Sequence, residues 1–562
     1  MSQQSRRILI IGGVAAGMKA AARARRLDPS ARITVIERGE HLSYGACALP
    51  YYVEGLVPEL DDVRRTNNGT LRDEDFFRRV KGVEVRSRCE ALAIDRDRRT
   101  VRLRDPAGGE EDLAYDALVL ATGNRPIVPP LPGVDLPGVR ALKTPEDAAF
   151  LAAEARPGRR AVIVGGGLIG LEMAEALRSR GLEVTLLEMK DQVLASALDF
   201  GMAALVHREL RKNGVDLRLG EALQAIEGEN GRVARVVTAN GTYRADLVLL
   251  AIGVRPEVGL ARAAGLDIGP TGAIAVDERL RTSDPAIWAA GDCAECRDLL
   301  SRRPVYVPLG STANKHGRVA ADNICGREAT FPGVLGSLIV KVFGLNVART
   351  GLSEEDAHLV GREPVTHLAP SPDRAHVYPG VKPICVKLIA DRADRRLLGA
   401  QIVGPGAIDK RIDALATALT FGATLDQLAQ LDLCYAPPFS SAMDPVHQAA
   451  NALRNKLDGL GDSLTPLQVR DMQEDGRPLL LLDVRSPAEY AEVRIPGATL
   501  MPLGSLRERL DSLPRDIEIV PLCKISLRGY EAQRILLDAG FSKVRYLEGG
   551  ILGWPFELET GP

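Results

Sequence analysis

The fold is decided by the stretch Ile8-Leu9-Ile10-Ile11-Gly12-Gly13-Val14-Ala15-Ala16-Gly17, in which a short apolar run leads directly into a glycine turn. A helical pattern rich in Ala and Arg follows, and the next apolar run ends at Glu37. The bare N–H groups at the start of such a helix bind a pyrophosphate, and the acid accepts hydrogen bonds from a ribose. The residues predicted to form this first dinucleotide site are Gly12, Gly13, Gly17 and Glu37.

The same pattern returns about 150 residues later, and this internal repeat predicts a second bound dinucleotide. Residues 160–164 have a strand pattern, Gly165-Gly166-Gly167-Leu168-Ile169-Gly170 is a complete G-x-G-x-x-G, and the next strand closes at Glu188. A carboxylate there accepts ribose hydroxyls and repels a 2′-phosphate, so it favours NADH over NADPH, a preference that the nearby Lys190 softens. The residues predicted to bind NADH (or NADPH) are Gly165, Gly167, Gly170, Glu188 and Gly253.

One cysteine stands in an unusual setting just after the first dinucleotide unit. The stretch Ser43-Tyr44-Gly45-Ala46-Cys47-Ala48-Leu49-Pro50-Tyr51-Tyr52 surrounds Cys47 with small residues and contains no partner cysteine. A single thiol must therefore react with something external. It can form a mixed disulfide with a small thiol, or a sulfenic acid with peroxide or oxygen.

Bulk composition limits the classes of partner. The 562 residues suggest three to five domains, and the net charge of −2 with 4% aromatic residues argues against a nucleic-acid partner. No apolar run approaches about 18 residues, so no membrane span is expected, and a cytoplasmic location is the default.

The eight cysteines are too sparse for a disulfide framework. Cys293-x-x-Cys296 has the spacing of a redox or zinc pair, but no second pair lies at ligand spacing. We therefore favour simple packing for this pair and expect no metal, while its role stays open.

From Arg7 to Ala452 these features resemble the flavin-dependent pyridine nucleotide-disulfide oxidoreductases. The apolar strand that ends in Thr122-Gly123 and the later strand that ends in Gly291-Asp292 fit that resemblance. It implies that the first glycine unit binds the ADP half of FAD, that Asp292 holds the ribityl chain, and that the chain forms a homodimer.

The last part of the chain resembles a rhodanese domain. A strand over 518–522 ends at Cys523, and Cys523-Lys524-Ile525-Ser526-Leu527-Arg528-Gly529 opens a helix. Loop N–H groups, the helix N-terminus and Arg528 are expected to lower the pKa of Cys523, so that its thiolate can carry a sulfur atom as a persulfide. Ser526 replaces the usual loop glycine, and an inactive structural module is the alternative.

The predicted fold class is α/β, with two Rossmann-like dinucleotide-binding domains, an α+β dimerisation domain and a C-terminal α/β rhodanese domain. The predicted boundaries are 1–145 and 276–330 for the FAD-binding domain, 146–275 for the NAD(P)H-binding domain, 331–454 for the dimerisation domain, 455–466 for a linker and 467–562 for the rhodanese domain.

The stretch around Cys47 closely resembles the active-site segment of coenzyme A-disulfide reductases, although those have Asn where this chain has Ala46. Peroxidases of the superfamily carry a histidine at the position of Ala15, which alanine cannot replace. The resemblance places Tyr378 and Tyr435 near the thiol of the partner subunit, where a hydroxyl can protonate a leaving sulfur. Packed interface tyrosines are the alternative.

Coenzyme A needs a site for its phosphates. Lys19, Arg23 and Arg26 share one helix face, which suits phosphate groups, and a solvated basic face is the alternative. Ser43 is predicted to lie near both FAD and coenzyme A.

The sequence thus predicts a homodimeric enzyme that uses NAD(P)H and FAD to reduce coenzyme A disulfide, coenzyme A persulfide or polysulfide through Cys47. Cys523 is predicted to carry sulfane sulfur. Two alternatives stay open: an NADH oxidase or peroxidase acting through a Cys47 sulfenic acid, and a redox-sensing or sulfur-carrier scaffold.

Overall fold

The computed structural model describes residues 5–561, and they group into two compact units. The first unit runs up to Met189 and includes Gly220–Val334, and the second contains Lys190–Leu219 and the chain from Leu335 onward. Both units combine helices with sheets, which confirms the predicted α/β class. No helix among residues 5–561 is long and apolar enough to cross a membrane.

The first unit contains a five-stranded parallel sheet that carries the predicted FAD residues. In spatial order its strands are Ile287–Ala289, Ala117–Leu120, Arg7–Ile11, Arg32–Ile36 and Glu84–Arg86. The carboxyl ends of parallel strands share one edge. The first glycine turn (Gly12–Gly17), the exit at Thr122 and Asp292 therefore lie at the same edge of this sheet.

Two long helices of the first unit, Ala16–Leu27 and Gly310–Ile324, pack closely against each other. A Cβ on Gly317 would lie 2.3 Å from the Ala16 carbonyl oxygen, so the approach requires glycine. Shorter helices and an antiparallel sheet complete this part: Leu49–Glu54, Glu74–Phe76, Gly259–Ala263, and the strands Glu90–Asp95, Thr100–Arg104 and Glu110–Ala114.

A second parallel sheet in the first unit repeats this arrangement. Its strands within the unit are, in spatial order, Glu183–Glu188, Arg160–Val164, Leu247–Leu250 and Val139–Ala141. The helix Leu168–Ser179 follows the second glycine turn (Gly165–Gly170), and Pro145–Glu154 precedes the sheet's central strand. An antiparallel sheet adds three strands: Leu223–Glu229, Arg232–Thr238 and Thr242–Arg244.

The second unit begins with the helix Phe200–Lys212 and the strand Val215–Leu219. Its main sheet is antiparallel, and in spatial order its strands are Leu338–Val342, Leu345–Gly351, Leu397–Gly404, Pro383–Asp391 and Pro364–Pro372. The helices of this region are Glu354–Leu359, Asp409–Thr420, Leu425–Leu428 and Pro445–Leu457. We call this part the dimerisation region.

The remainder of the second unit is a small α/β module, which we call the rhodanese region. Its parallel strands are Thr499–Leu500, Leu479–Asp483 and Glu518–Leu522, and Ser463–Leu464 pairs with Tyr546–Leu547. The helices are Pro466–Glu474, Pro487–Glu492, Leu503–Leu506, Leu527–Asp538 and Gly550–Gly553.

The predicted linker, 455–466, is only partly irregular. The helix Pro445–Leu457 covers its start, and Ser463–Leu464 already belongs to the rhodanese region. Residues 458–462 and Thr465 lie outside helices and strands. The predicted domain boundaries as a whole stay predictions.

Candidate active site

The first glycine turn has the geometry of a pyrophosphate cradle. Gly12 has φ +113°, and a Cβ on it would lie 2.1 Å from the Ala121 carbonyl oxygen. A Cβ on Gly17 would lie 1.9 Å from the Gly12 oxygen, so both positions need glycine. The Gly13 N–H donates to Glu37 Oε2 at 2.6 Å, which fixes the acid beside the turn. These residues fit the ADP half of FAD.

The second glycine turn repeats this geometry. Gly165 has φ +111°, and a Cβ on it would lie 2.4 Å from the Ala251 oxygen. The Gly166 N–H donates to Glu188 Oε2 at 2.7 Å, in the way that Gly13 donates to its acid. A Cβ on Gly167 would meet nothing within 4 Å, so the middle glycine leaves open space at the turn. The arrangement fits a second dinucleotide.

The segments that follow the strands Ala117–Leu120 and Leu247–Leu250 pair with each other in the first unit. Residues 124–126 form an antiparallel ribbon with 254–256, and Thr122 Oγ1 donates to the Glu257 carbonyl oxygen at 2.6 Å. Gly123 and Gly253 have φ +72° and +109°, respectively, which glycine adopts without strain. The structure therefore brings these predicted residues together.

The stretch around Cys47, here called the thiol turn (Ser43–Tyr52), is anchored to the first glycine turn. The Ser43 N–H donates to the Gly13 carbonyl oxygen at 2.9 Å, and Arg72 Nη1 donates to the Ser43 oxygen at 2.8 Å. Cys47 lies in a short 3₁₀ turn, 46–48, which runs straight into the helix Leu49–Glu54. Cys47 as a residue is exposed, as an external substrate requires, although the protein around it still shields its thiol in part.

Charged groups around the thiol decide how readily it ionises. Burial by the surrounding protein raises the pKa of Cys47, Glu172 and Asp292 raise it further, and Lys143 opposes them. Lys143 Nζ donates to Asn124 Oδ1 at 2.6 Å, and Asn124 Nδ2 donates to Asp292 Oδ2 at 2.7 Å. Hydrogen bonds thus connect Lys143 through Asn124 to Asp292, the residue predicted to hold the ribityl chain. Burial raises the pKa of Asp292 itself.

A second carboxylate near the thiol comes from the nucleotide-binding helix Leu168–Ser179. Burial raises the pKa of Glu172 to about 7, while a hydrogen bond from the Tyr51 hydroxyl opposes the rise and Glu175 adds to it. A carboxyl group with a pKa near 7 can both hold and release a proton at neutral pH. The sequence prediction missed Glu172, Lys143 and Asn124. A carboxylate one turn into the helix after a glycine turn was the available signal for the first of them.

The Cys293/Cys296 pair lies in the protein interior. Both thiols are buried; Cys293 Sγ donates to the Leu120 oxygen at 3.3 Å, and Cys296 Sγ lies 3.7 Å from His316 Nε2. Burial raises the pKa of both thiols, that of Cys296 to about 12, so neither forms a ready thiolate. Across residues 5–561, no group of three or more His, Cys, Asp or Glu side chains is arranged to hold a metal ion.

The three basic residues predicted to bind coenzyme A differ in how available they are. Arg23 Nε donates to Asp322 Oδ1 at 2.7 Å in a largely buried ion pair, so this guanidinium already has an anionic partner. Lys19 and Arg26 are exposed on the same helix. Arg23 is therefore the least available of the three side chains, and the assignment of Lys19, Arg23 and Arg26 to coenzyme A stays a prediction.

In the rhodanese region, Cys523 is completely buried at the end of its strand. Arg528 donates to Glu489 from Nη1 and Nη2 at 2.9 and 2.7 Å. Glu489, with a smaller contribution from Cys523, raises the pKa of Arg528. Ser526 has φ +90°, a conformation natural to glycine, and its Oγ accepts the Gly549 N–H at 2.7 Å. The hydroxyl holds the loop in the shape that glycine would adopt freely. We call 523–528 the sulfur loop.

Tyr378 and Tyr435 lie on two exposed loops of the dimerisation region that contact each other. The Ala375 N–H donates to the Pro437 carbonyl oxygen at 3.3 Å, and the two tyrosines are 39% and 53% exposed. Further large apolar side chains are exposed on the same loops: Val377, Val381, Phe439 and Met443. We call this surface the tyrosine face.

Three features define the class of protein: two parallel sheets that each carry a glycine turn, the thiol turn, and the small α/β module that we call the rhodanese region. The family model "Pyridine nucleotide-disulphide oxidoreductase" matches residues 6–317, its dimerisation domain matches 338–447, and the rhodanese-like domain matches 465–556. The chain belongs to the pyridine nucleotide-disulphide oxidoreductases, enzymes whose cofactors are FAD and NAD(P)H, and carries a rhodanese-like domain.

Three proteins are similar to this chain over most of its length. The solved structure of an NAD-dependent persulfide reductase from A. fulgidus has a TM-score of 0.93 and 46% identity, covering 98% of this chain and 100% of that one. Reduced CoADR-RHD of Bacillus anthracis has a TM-score of 0.90 and 36% identity, with 98% of each chain covered. An NAD(P)H sulfur oxidoreductase (CoA-dependent) of Pyrococcus abyssi is 40% identical over 449 residues, 80% of this chain and 98% of its own.

Proposed function

We propose that the protein reduces sulfur–sulfur bonds with electrons from NAD(P)H, acting on coenzyme A disulfide, coenzyme A persulfide or polysulfide. The observation that carries the proposal is the setting of Cys47. Cys47 is exposed, has no partner cysteine in its turn, and lies on a turn anchored to the first glycine turn. Its pKa is raised by the charge of Glu172, which belongs to the helix that follows the second glycine turn. The names of the relatives, persulfide reductase and CoA-dependent sulfur oxidoreductase, support the substrate class.

In the proposed cycle, Cys47 begins as a mixed disulfide with coenzyme A. When bound, NADH and FAD supply the electron pair that breaks this bond. Coenzyme A leaves as a thiol, and Cys47 remains as a thiolate. The thiolate then attacks the coenzyme A sulfur of a disulfide or persulfide, so that a new Cys47–S–S bond forms, the old S–S bond breaks, and a thiol or hydrogen sulfide leaves.

The residues around Cys47 have separate parts in this cycle. Lys143 favours the thiolate, and Glu172, with its pKa of about 7, is placed to hold or release the proton that the leaving sulfur needs. Glu188 selects NADH by accepting ribose hydroxyls. Cys523 receives or delivers the terminal sulfur as a persulfide.

The active form is a homodimer in the cytoplasm. A matched dimerisation domain and the exposed apolar tyrosine face support pairing with a second copy. In that dimer Tyr378 and Tyr435 lie near Cys47 of the other subunit and protonate the leaving sulfur. Lys19 and Arg26 bind coenzyme A phosphates, and Ser43 lies near both the flavin and coenzyme A.

The second candidate is an NADH oxidase or peroxidase working through a Cys47 sulfenic acid. Other relatives carry the name NADH oxidase, which favours keeping it. Ala15 weighs against it, because alanine at the N-terminus of the first nucleotide helix cannot support a sulfenic acid as a histidine does.

Steady-state NADH consumption separates these functions. We expect turnover with coenzyme A persulfide or coenzyme A disulfide to exceed turnover with peroxide or oxygen, and Cys47→Ser to abolish it. Faster turnover with peroxide or oxygen overturns the proposal. Negligible turnover with every sulfur substrate favours a sensor or scaffold.

A further inference from the structure

A short segment of the rhodanese region, Tyr546–Leu552, lies between the dimerisation region and the sulfur loop. All three belong to the second unit. On the dimerisation side, the Tyr546 hydroxyl is 2.8 Å from His367 Nε2 in the strand Pro364–Pro372. Leu368 of the same strand lies so close that a Cβ on Gly549 would be 2.8 Å from its Cδ2. We call 546–552 the bridging segment.

A buried ion pair fastens this segment. Glu548 is 2% exposed, and its Oε2 accepts Lys456 Nζ at 3.2 Å and Ser463 Oγ at 2.7 Å. Lys456 belongs to the helix Pro445–Leu457 and also donates to the Thr366 carbonyl oxygen at 3.1 Å. Burial acts to raise the pKa of Glu548, but Lys456, His367 and Ser463 outweigh it and keep the pKa low. The carboxylate is therefore charged and depends on Lys456.

The opposite side of the bridging segment holds the sulfur loop. The Ile551 N–H donates to the Cys523 carbonyl oxygen at 2.9 Å, and the Leu552 N–H donates to the Lys524 oxygen at 3.2 Å. The Gly549 N–H donates to Ser526 Oγ at 2.7 Å. A Cβ on Gly550 would lie 2.3 Å from the Cys523 oxygen, so the two backbones are in contact. The segment thus fixes the first two carbonyls of the loop and its one strained residue.

We propose that Lys456 and Glu548 are positioning residues for Cys523, so that the dimerisation region sets the geometry of the sulfur loop. This inference rests on the proposed role of Cys523 as a sulfur carrier. Glu548 is bonded directly to Gly549, whose N–H holds Ser526. When Lys456 is lost, the buried carboxylate has no cation and must either take up a proton or turn toward water. Either change alters its contacts with Ser463 and displaces Gly549, the next residue in the chain, from the loop.

The geometry of the loop matters because sulfur transfer there depends on orientation. With thiosulfate, the Cys523 thiolate attacks the outer sulfur, the S–S bond of thiosulfate breaks, a persulfide forms on Cys523, and sulfite leaves with the electron pair. The loop N–H groups must face the sulfur on which negative charge develops. A displacement of about 1 Å in such a site lowers rates by roughly 100-fold.

The test uses the full-length flavin-loaded protein with Lys456→Met, Lys456→Arg and Glu548→Gln. Each variant is incubated with thiosulfate or with inorganic tetrasulfide, and the persulfide on Cys523 is quantified by alkylation and mass spectrometry of its peptide. Reduction of coenzyme A disulfide, which in the proposed cycle uses Cys47 and not Cys523, is measured in parallel. Arg454→Met is the matched control. It removes a cation from the same helix, but Arg454 pairs with Asp426 in the dimerisation region and not with Glu548.

We expect Lys456→Met and Glu548→Gln to load sulfur roughly 10- to 100-fold more slowly, with coenzyme A disulfide reduction unchanged. Lys456→Arg keeps the positive charge and should load sulfur at close to the wild-type rate, and so should Arg454→Met. If the wild type loads sulfur and Lys456→Met loads it equally fast, the inference is wrong while the proposed function stands. If the wild type loads no sulfur from either donor, the carrier role of Cys523 fails, and the inference fails with it.

Discussion

Replacing Glu172 with glutamine should lower the pKa of Cys47. Burial raises that pKa first, the Glu172 carboxylate is the next cause, and Asp292 follows, with Lys143 in opposition. The substitution keeps the size of the side chain and removes one negative charge. A neighbouring negative charge disfavours the thiolate, so its removal should lower the pKa of Cys47 and speed reactions of the thiolate near neutral pH.

Tyr51→Phe tests the same coupling through the proton on Glu172. A hydrogen bond to a charged acceptor contributes about 1.5–3 kcal/mol, which at about 1.4 kcal/mol per unit is roughly one to two pKa units. Without the Tyr51 hydroxyl, the pKa of Glu172 should rise from about 7 by about one unit, the lower end, because Tyr51 is only partly buried. Glu172 then stays neutral at neutral pH, and the Cys47 thiol ionises more readily there.

The assay is the rate of alkylation of Cys47 by iodoacetamide in the dithiothreitol-reduced protein, between about pH 6 and pH 10. Cys434, a second exposed cysteine in the other unit, is the internal reference. Both variants should react faster than wild type near neutral pH, and only Glu172→Gln should stay faster at high pH, where Glu172 of the tyrosine variant is ionised. An unchanged or upward-shifted Cys47 profile in Glu172→Gln refutes the reasoning.

Three further substitutions test other parts of the account. Gly12→Ala should lose FAD, measured by bound flavin absorbance, and about 2–4 kcal/mol of stability, because φ is positive and Ala121 leaves no room; Gly201→Ala, with open space around it, should lose neither. Glu188→Ala should raise the NADPH-to-NADH ratio of kcat/KM by roughly 10-fold, and an unchanged ratio contradicts the ribose assignment. Cys523→Ser should lower turnover with sulfur donors and spare coenzyme A disulfide reduction; an equal fall in both means that the rhodanese region is structural.

The two glycine turns and their acids could be predicted from sequence because their requirements are local, while nucleotide binding by these residues stays a prediction. Gly12 and Gly165 must adopt positive φ and pass next to a backbone oxygen, and only glycine does both. Their acids, Glu37 and Glu188, follow at similar distances along the chain, 24 residues after Gly13 and 22 after Gly166, since one helix separates the paired strands. The sequence pattern therefore contained the whole arrangement.

The charges around Cys47 could not be predicted in this way because they come from distant parts of the chain. Lys143, Asn124 and Asp292 meet only in the folded structure, and the bond between the last two spans 168 residues. Arg23 is a second case in which a distant residue decides the surroundings of a side chain. Helical spacing identified its face, but its partner Asp322 lies 299 residues away and could not be read from spacing.

The central claim is that one thiol, Cys47, works through a mixed disulfide with coenzyme A. Mass spectrometry of the peptide containing Cys47, from protein purified without reductant, tests it most directly. The account predicts a coenzyme A adduct on Cys47 that disappears on treatment with NADH and is absent from Cys434. A Cys47 found only as a sulfenic or sulfinic acid, with no adduct after incubation with coenzyme A disulfide, would contradict it.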